Sequence, residues 1–178
     1  MANNIIIQKP FDIIKHQLDE NGNYPNNPRL PLLIYLQAIE LKSPDTERPI
    51  EDLLEKNNWK NAWRNGILTN HHFHSNTHEV LVVYSGKALV MFGGPKGPEE
   101  VLKAGDVALL PAGTTHKKIQ DDNHFACIGA YPDGKAYNMH HGNPEELEEV
   151  KDKIKTVKVP ELDPIYGEKG PIIKYWKE

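Results

Sequence analysis

The most informative segment of the chain is the nonapeptide His71-His72-Phe73-His74-Ser75-Asn76-Thr77-His78-Glu79. It holds four imidazoles and one carboxylate, all good metal ligands. Burying so many polar side chains is costly unless each is hydrogen-bonded or bound to an ion. First-row transition metals accept imidazole and carboxylate readily. A further candidate ligand, His116, follows the tight turn Pro111-Ala112-Gly113. The sequence therefore predicts a metal site built from two separate segments.

The spacing within this segment leaves one ligand undecided. Alternate side chains of a strand face the same way, so His72 and His74 point to one side, with Cα atoms about 6.5–7 Å apart. Glu79 is five positions after His74 and would face the opposite side of an unbroken strand. It joins the site only if residues 75–77 form a turn or bulge, which their composition favours. If the strand runs straight, His78 is the third ligand instead.

Short runs rich in β-branched residues, separated by Gly and Pro turns, predict a β-sandwich or barrel for the middle of the chain. The predicted strands are residues 80–84, 87–92, 99–103, 107–110 and 125–131. An earlier apolar run, Leu30 to Leu36, also predicts a buried strand.

Helical patterns occur on both sides of this β-rich region. Apolar residues recur at i, i+3 and i+4 from Ile50 and again from Trp59, which predicts a helical segment over residues 50–65. A charged surface helix is predicted over residues 144–155, capped by Asn143. Prolines resist regular structure and aromatic side chains favour burial, so residues 160–176 are expected to wrap the body as an extended strap.

Length, charge and composition narrow the class of protein. The chain has 178 residues, enough to bury a core as one domain. A formal net charge of −4 and the lack of a basic stripe are atypical of a nucleic-acid binder. No apolar run reaches the ~18 residues of a membrane helix, and no signal-peptide pattern opens the sequence. The single cysteine, Cys127, is expected to be buried, and we expect a cytoplasmic protein.

Two motifs resemble those of the cupin superfamily. The first has the spacing Gly66, five residues, His72, one residue, His74, four residues, Glu79, six residues, Gly86. The second has the spacing Gly105, five residues, Pro111, one residue, Gly113, two residues, His116, with Gln120 where the motif ends in Asn. Residues 63–67, 71–79 and 129–134 further resemble a small, largely uncharacterised group of single-domain cupins.

The resemblance implies a mostly β fold, the double-stranded β-helix of an RmlC-like jelly-roll barrel, as a single domain over residues 1–178. Its expected parts are an N-terminal extension with strands (1–49), the helical segment (50–65), the cupin core (66–131) and a C-terminal helix and strap (132–178). The resemblance also implies the metal ligands His72, His74, Glu79 and His116, which favours Glu79 over His78.

Such ligands would hold one divalent transition metal ion (Fe, Mn, Ni, Co or Zn) with about two open positions. The expected function is a metal-dependent, dioxygenase-like oxidation of a small polar molecule, with His78 as the proton-transfer group. A metal-dependent isomerase or epimerase and a non-catalytic cupin that binds or senses a small molecule are the alternatives. We expect a homodimer with residues 30–36 as the interface strand, and neither a nucleic-acid nor a membrane partner.

The remaining histidines and aromatic residues are expected to have structural roles. His71 is out of phase with His72 and should pack on the other side of the segment. His140 and His141 are expected at the surface or against the tail. Tyr84, Phe92 and Tyr131 fit either the core or the lining of a substrate pocket.

Overall fold

The computed structural model describes residues 4–177. Its strands are β1 (Ile5–Ile7), β2 (Ile13–His16), β3 (Leu32–Tyr35), β4 (Ile39–Leu41), β5 (Trp59–Asn65), β6 (Glu79–Ser85), β7 (Lys87–Phe92), β8 (Glu99–Lys103), β9 (Val107–Leu110), β10 (His116–Asp121) and β11 (Ala126–Pro132). Its helices are α1 (Glu47–Lys56), α2 (Leu147–Thr156), which a 3₁₀ turn at Pro144–Glu146 precedes, and α3 (Pro171–Tyr175).

Two antiparallel sheets form the body, as expected for a jelly-roll barrel. The larger has the order β2-β3-β9-β6-β11-β5 and the smaller has the order β10-β7-β8, while β1 and β4 make a separate pair. One hydrophobic core lies between the two sheets. It includes Leu81, Val83, Ala108, Leu110 and Cys127 from the larger sheet and Ala88, Val90, Phe92 and Leu102 from the smaller.

The other face of the larger sheet is also covered, so its central strands are buried on both sides. Alternate residues of β6, such as Val80 and Val82, pack into a second core with α1 and the C-terminal segment. This second core includes Ile50, Leu54, Ile165, Ile172 and Trp176. Burial on both faces explains why β6 has an unbroken apolar run instead of alternation.

The C-terminal strap is held by buried polar contacts. The Asp163 carboxylate accepts hydrogen bonds from the Tyr35 hydroxyl at 2.7 Å and from the Ile165 N–H at 2.9 Å. The Trp176 indole N–H donates to the Pro31 carbonyl at 2.8 Å. The strap wraps the body as expected but contains the short helix α3, so it is not wholly extended.

All the predicted strands are confirmed within one or two residues, and so is the charged helix near residue 150. The prediction of a helical segment over residues 50–65 is wrong in its second half. Helix α1 ends at Lys56, Asn58 takes a positive φ of 63°, and the chain continues as the edge strand β5. Spacing alone could not show this, because residues four apart share a face in a regular strand as well as in a helix.

Strand β3 has no free edge. It pairs with β2 on one side and β9 on the other, and all four of its residues are buried. A second copy therefore has no free edge at residues 30–36 to which it could add a strand. The homodimer stays a prediction. Among residues 4–177, none of the helices combines the length and hydropathy needed to cross a bilayer.

Candidate metal centre

A bend at Ser75-Asn76 resets the alternation of side chains between His74 and Glu79. Strand β6 starts at Glu79, whose side chain lines the same cavity as His74. His78 does not line it. The spacing left Glu79 and His78 open as ligand candidates. The structure places Glu79, and not His78, beside His72, His74 and His116.

Direct backbone pairing joins the two sequence motifs. The His72 N–H donates to the His116 carbonyl at 3.2 Å, and the His116 N–H donates back to the His72 carbonyl at 3.0 Å. The Gly113 N–H, in the turn before β10, donates to the His74 carbonyl at 2.7 Å. Gly113 takes a positive φ of 91°, and a Cβ there would lie 2.6 Å from the Asn26 carbonyl oxygen. The tight turn that positions His116 therefore requires glycine.

His72, His74, Glu79 and His116 all line one cavity of about 270 Å³ at the end of the barrel core. All four side chains are buried. Glu79 Oε2 lies 3.5 Å from His74 Nε2 and 3.4 Å from His116 Nε2. The rings of His72 and His116 are 4.1 Å apart between centroids. Three imidazoles and one carboxylate thus converge within the barrel.

Each of the three imidazoles is oriented by a main-chain carbonyl on its Nδ1. The partners are the carbonyl oxygens of Asn70 for His72, Asn138 for His74 and Thr114 for His116. A carbonyl oxygen only accepts, so Nδ1 must carry the hydrogen in each case. A neutral ring then has its lone pair on Nε2. This arrangement is the one by which proteins orient metal-binding histidines.

Only one of the two oxygens of the Glu79 carboxylate accepts a hydrogen bond. Oε1 accepts the Tyr131 O–H at 2.9 Å, and the Tyr131 oxygen in turn accepts the Trp63 indole N–H at 2.7 Å. Oε2 is buried without a hydrogen-bond partner. Its separations from the two imidazoles exceed the ~2.7–3.2 Å of an ordinary N–H···O hydrogen bond. Burying an unpaired carboxylate oxygen costs free energy. We therefore infer that Oε2 binds a group that the protein itself does not supply.

The pKa shifts in the cavity favour an ionised carboxylate among mostly neutral imidazoles. Burial alone would raise the pKa of Glu79, but His74 and His116 outweigh it and lower that pKa to about 2. Burial and the neighbouring His72 lower the pKa of His116 to about 3. Burial also lowers the pKa of His72, whereas the Glu79 carboxylate outweighs burial at His74 and raises its pKa.

The donor set fits a divalent transition metal, although the atoms are slightly too far apart. Two donors that each lie about 2.1 Å from one ion are about 3.0 Å apart at a right angle and about 3.4 Å apart at a tetrahedral angle. The Glu79–His separations of 3.4 and 3.5 Å are at or just above that range. Within residues 4–177, no group of three or more His, Cys, Asp or Glu side chains lies close enough together to hold a metal ion as it stands. Binding of an ion would therefore require these side chains to move closer together.

His78, expected as the proton-transfer group, does not line the cavity. Its Nδ1 accepts the Ala112 N–H at 2.9 Å and its Nε2–H donates to the Lys158 carbonyl at 3.1 Å. The ring also packs against Trp176, with centroids 4.9 Å apart. Burial lowers the pKa of His78 to about 4. His78 instead ties the turn before His116 to the C-terminal strap.

His71, His140 and His141 lie outside the cavity, and His140 is half-buried rather than at the surface or against the tail. His71 packs against Tyr24, with centroids 5.2 Å apart, and does not line the cavity. His140 stacks on Phe73, also at 5.2 Å, and is within 3.0 Å of the Ser75 hydroxyl. The exposed His141 is beside Asn70.

Of the three aromatic residues considered for the cavity, only Tyr131 lines it. Phe92 is in the core between the sheets. Two further aromatic lining residues, Trp63 and Tyr137, were not identified from the sequence. Trp63 was assigned to a helix, and Tyr137 follows the last predicted strand without any pattern of its own. Cys127 is buried as expected, and burial raises the pKa of its thiol.

Comparison with known proteins agrees with the motifs. A family model described as "Cupin domain" matches residues 64–125. The chain is 39% identical over 157 residues to the uncharacterized protein YjlB of Bacillus subtilis (strain 168), an alignment that covers 88% of this chain and 92% of that protein.

Two solved structures illustrate the more distant similarity. Acireductone dioxygenase from Bacillus anthracis, with a cadmium ion in its active centre, is 19% identical over 52% of this chain and 64% of that chain, with a TM-score of 0.38. This chain thus spans just under two thirds of that dioxygenase. The dTDP-6-deoxy-D-glucose-3,5-epimerase RmlC from Legionella pneumophila is 15% identical over 71% of this chain and 73% of that chain, with a TM-score of 0.40. Given the jelly-roll sheets, the matched family model and the relative aligned along most of its length, the chain belongs to the cupin superfamily.

Proposed function

We propose that the chain binds one divalent transition metal ion (Fe, Mn, Ni, Co or Zn) through His72, His74, His116 and Glu79. The observation that carries the proposal is the buried, unpartnered Oε2 of Glu79 beside the Nε2 atoms of His74 and His116. A cation at this point would satisfy that oxygen and accept the lone pairs of the imidazoles.

The surrounding residues prepare these ligands for an ion. Three main-chain carbonyls hold the imidazoles with Nε2 free, and Tyr131 holds the Glu79 carboxylate by its other oxygen. Burial excludes competing water and strengthens the attraction between carboxylate and cation. When bound, the ion would supply Lewis acidity or, for Fe(II), a redox couple for reaction with dioxygen.

We further propose a metal-dependent enzyme that carries out a dioxygenase-like oxidation of a small polar molecule. Isomerases and epimerases need a general acid or base that exchanges protons near neutral pH. Apart from the four proposed ligands, no His, Asp, Glu or Lys is among the described residues that line the cavity. The hydroxyl of Tyr131 is already committed to Glu79, which leaves Tyr137 as the other lining residue with a phenolic hydroxyl. This composition favours oxidation over epimerisation.

The same composition supports a second candidate, a non-catalytic cupin that binds or senses a small molecule. A binding module needs a complementary pocket but no group for proton transfer. The two candidates differ in turnover. Oxygen uptake by the Fe(II)-loaded protein with diols, catechols or keto acids would establish oxidation. Saturable binding of one of these compounds without turnover under any metal would establish the binding module.

Metal content tests the underlying site. Untagged protein purified without chelator should contain one transition metal ion per chain, and the His74→Ala variant should contain almost none. His71→Ala is a matched control, because His71 is in the same segment but outside the cavity. Equal metal content in the His74→Ala variant and the unmodified protein would refute the assignment.

A further inference from the structure

The cavity has one wall made of aromatic rings, formed by Trp63, Tyr131 and Tyr137 (the aromatic wall). The rings of Tyr131 and Tyr137 are stacked, with centroids 4.8 Å apart and an interplanar angle of 28°. Tyr137 also meets the His74 ring at 5.0 Å. The aromatic wall therefore stands directly beside the proposed metal ligands.

A break in strand β5 turns Trp63 toward this wall. Asn61 takes a positive φ of 56°, and the pairing with β11 shifts by one residue at this point. Trp59 consequently packs into the core on the outer face of the sheet, whereas Trp63 packs on the inner side. A Cβ on Gly129 would come within 2.2 Å of the Trp63 indole. The indole therefore lies flat on the backbone of β11, where only glycine leaves room for it.

Two of the three side chains in the aromatic wall have their polar atoms paired within the protein. The Trp63 N–H is used by Tyr131, and the Tyr131 O–H is used by Glu79. Tyr131 is itself buried, so a ligand at this wall meets mainly the rings of Trp63 and Tyr137. Planar aromatic rings stack favourably on such surfaces.

The rim of the cavity is apolar on both sides. Leu68, Tyr137 and Met139 are 47%, 43% and 41% exposed, and they come from two separate segments. The second segment is held rigidly, because the Asn138 side chain accepts the Ser75 N–H at 2.8 Å and donates to the Ser75 hydroxyl at 2.8 Å. Exposed large apolar side chains around one opening typically mark a binding site.

The permanent charges near the opening are neutralised. Arg64 is the only Lys or Arg among the described residues that line the cavity, and it makes a two-point ion pair with Glu51 at 2.7 and 2.8 Å. Lys118, whose ammonium group lies 3.9 Å from the Cβ position of Gly66, pairs with Asp121. Among the described residues at the mouth, Arg64 and Lys118 are therefore both paired, and an anionic ligand would meet the Glu79 carboxylate inside.

The volume limits the size of the ligand. An apolar cavity of roughly 150 Å³ holds benzene, and pockets for drug-sized molecules begin near ~300 Å³. At about 270 Å³, this cavity has room for one ring with small substituents.

We propose that the substrate is an uncharged, single-ring aromatic compound that carries an oxygen substituent. Its ring lies against the aromatic wall, and its oxygen points toward His72, His74, His116 and Glu79. The ring preference follows from the wall, the rim and the paired charges, whereas the direction of the oxygen rests on the proposed metal function.

A matched set of three probes tests the ring preference: 2-methoxyphenol, its saturated analogue 2-methoxycyclohexanol, and the anionic 2-methoxybenzoate. Titration of ¹⁵N-labelled protein, followed at the Trp63 indole resonance, reports binding at the wall. A Trp63→Phe variant assigns that resonance. We expect 2-methoxyphenol to bind at least about fivefold more tightly than either other probe. Tyr137→Leu should weaken its binding about 2- to 10-fold, the range of a stacked aromatic pair, and Tyr137→Phe should restore it.

Equal or tighter binding of the saturated or anionic probe would overturn the inference, and so would the absence of binding by all three. Metal content measured on the same samples separates this outcome from failure of the proposed function. Bound metal without ring preference refutes the substrate class alone. Ring preference in a protein that takes up no metal refutes the metal centre and leaves the ring preference supported.

Discussion

The orientation of a single carboxylate decides what the candidate site can bind. Tyr131 and Trp63 form a chain of hydrogen bonds that fixes Glu79 Oε1 and leaves Oε2 facing the imidazoles. Without the Tyr131 hydroxyl, the carboxylate could rotate or take up water. The Glu79 carboxylate would then lose its fixed orientation, although none of the four proposed ligands had been substituted.

Replacing Tyr131 by Phe should therefore weaken metal binding by about 10- to 100-fold, the usual effect of losing a partner that orients a ligand. Competition with a chromophoric chelator measures this affinity. Tyr137→Phe removes a neighbouring hydroxyl with no contact to Glu79 and should leave metal affinity unchanged. Equal metal affinity in the Tyr131→Phe variant and the unmodified protein would show that Tyr131 does not order the carboxylate.

The buried His78 should make the stability of the fold depend on pH. Its pKa is lowered to about 4, against ~6.5 in an unfolded chain, so the unfolded state binds the proton more readily between these values. The stabilisation is present above pH ~6.5 and is lost as pH falls toward 4, for a total of about 3 kcal/mol.

Urea unfolding at pH 7.5 and pH 5, with chelator present throughout, measures this loss of stability. Other buried histidines contribute as well, so the His78→Gln variant supplies the comparison. We expect a smaller fall in the free energy of unfolding in that variant than in the unmodified protein. The same pH dependence in both proteins would show that His78 titrates normally in the folded state.

At this scale, the resemblance to the cupin motifs selected the four side chains that the structure places in one cavity. Their role as metal ligands stays a proposal. The spacing could not choose between Glu79 and His78, because the bend at Ser75 is fixed by Asn138, which is more than sixty positions away. Distant contacts of this kind leave no local pattern. The position of His78 outside the cavity was unpredictable for the same reason, since its partners Ala112 and Lys158 are far away along the chain.

At the level of secondary structure, the contact between β5 and β11 positions the aromatic wall. Adding one methyl group at Gly129 would push the Trp63 indole off the sheet. Gly129→Ala should cost about 1–3 kcal/mol of unfolding free energy, as overpacking usually does, and should shift the Trp63 indole resonance. Gly66→Ala is the control, because its nearest neighbour is 3.9 Å away and its backbone is not strained. A Gly129→Ala protein as stable as the control would contradict the packing described here.

The β-rich centre was predictable because its strands are short, apolar and separated by Gly and Pro turns. Strand β5 was not, since most of its residues are exposed and its two tryptophans face opposite sides of the sheet. The break at Asn61 that separates them is a tertiary feature of the pairing with β11. The sequence consequently missed one wall of the cavity while locating its ligand cluster.

Across the whole molecule, the C-terminal strap closes the outer face of the larger sheet and contributes nothing to the lining of the cavity. Trp176 is 2% exposed, packs on His78 and donates to the Pro31 carbonyl. Trp176→Ala should therefore lower the free energy of unfolding by about 3–5 kcal/mol, as measured by urea denaturation, without loss of bound metal. Ile173→Ala, at an exposed neighbouring position, should change stability little. Comparable effects of the two substitutions would show that the strap is not anchored by Trp176.

The central claim is that three imidazoles and one carboxylate bind a single ion inside the barrel. X-ray absorption at the metal edge, on untagged protein purified without chelator, observes this coordination directly. We expect scattering from three imidazole rings and from oxygen, with metal–nitrogen distances of about 2.0–2.2 Å. A sample without transition metal, or a spectrum with fewer than three imidazoles or with a sulfur ligand, would contradict the account.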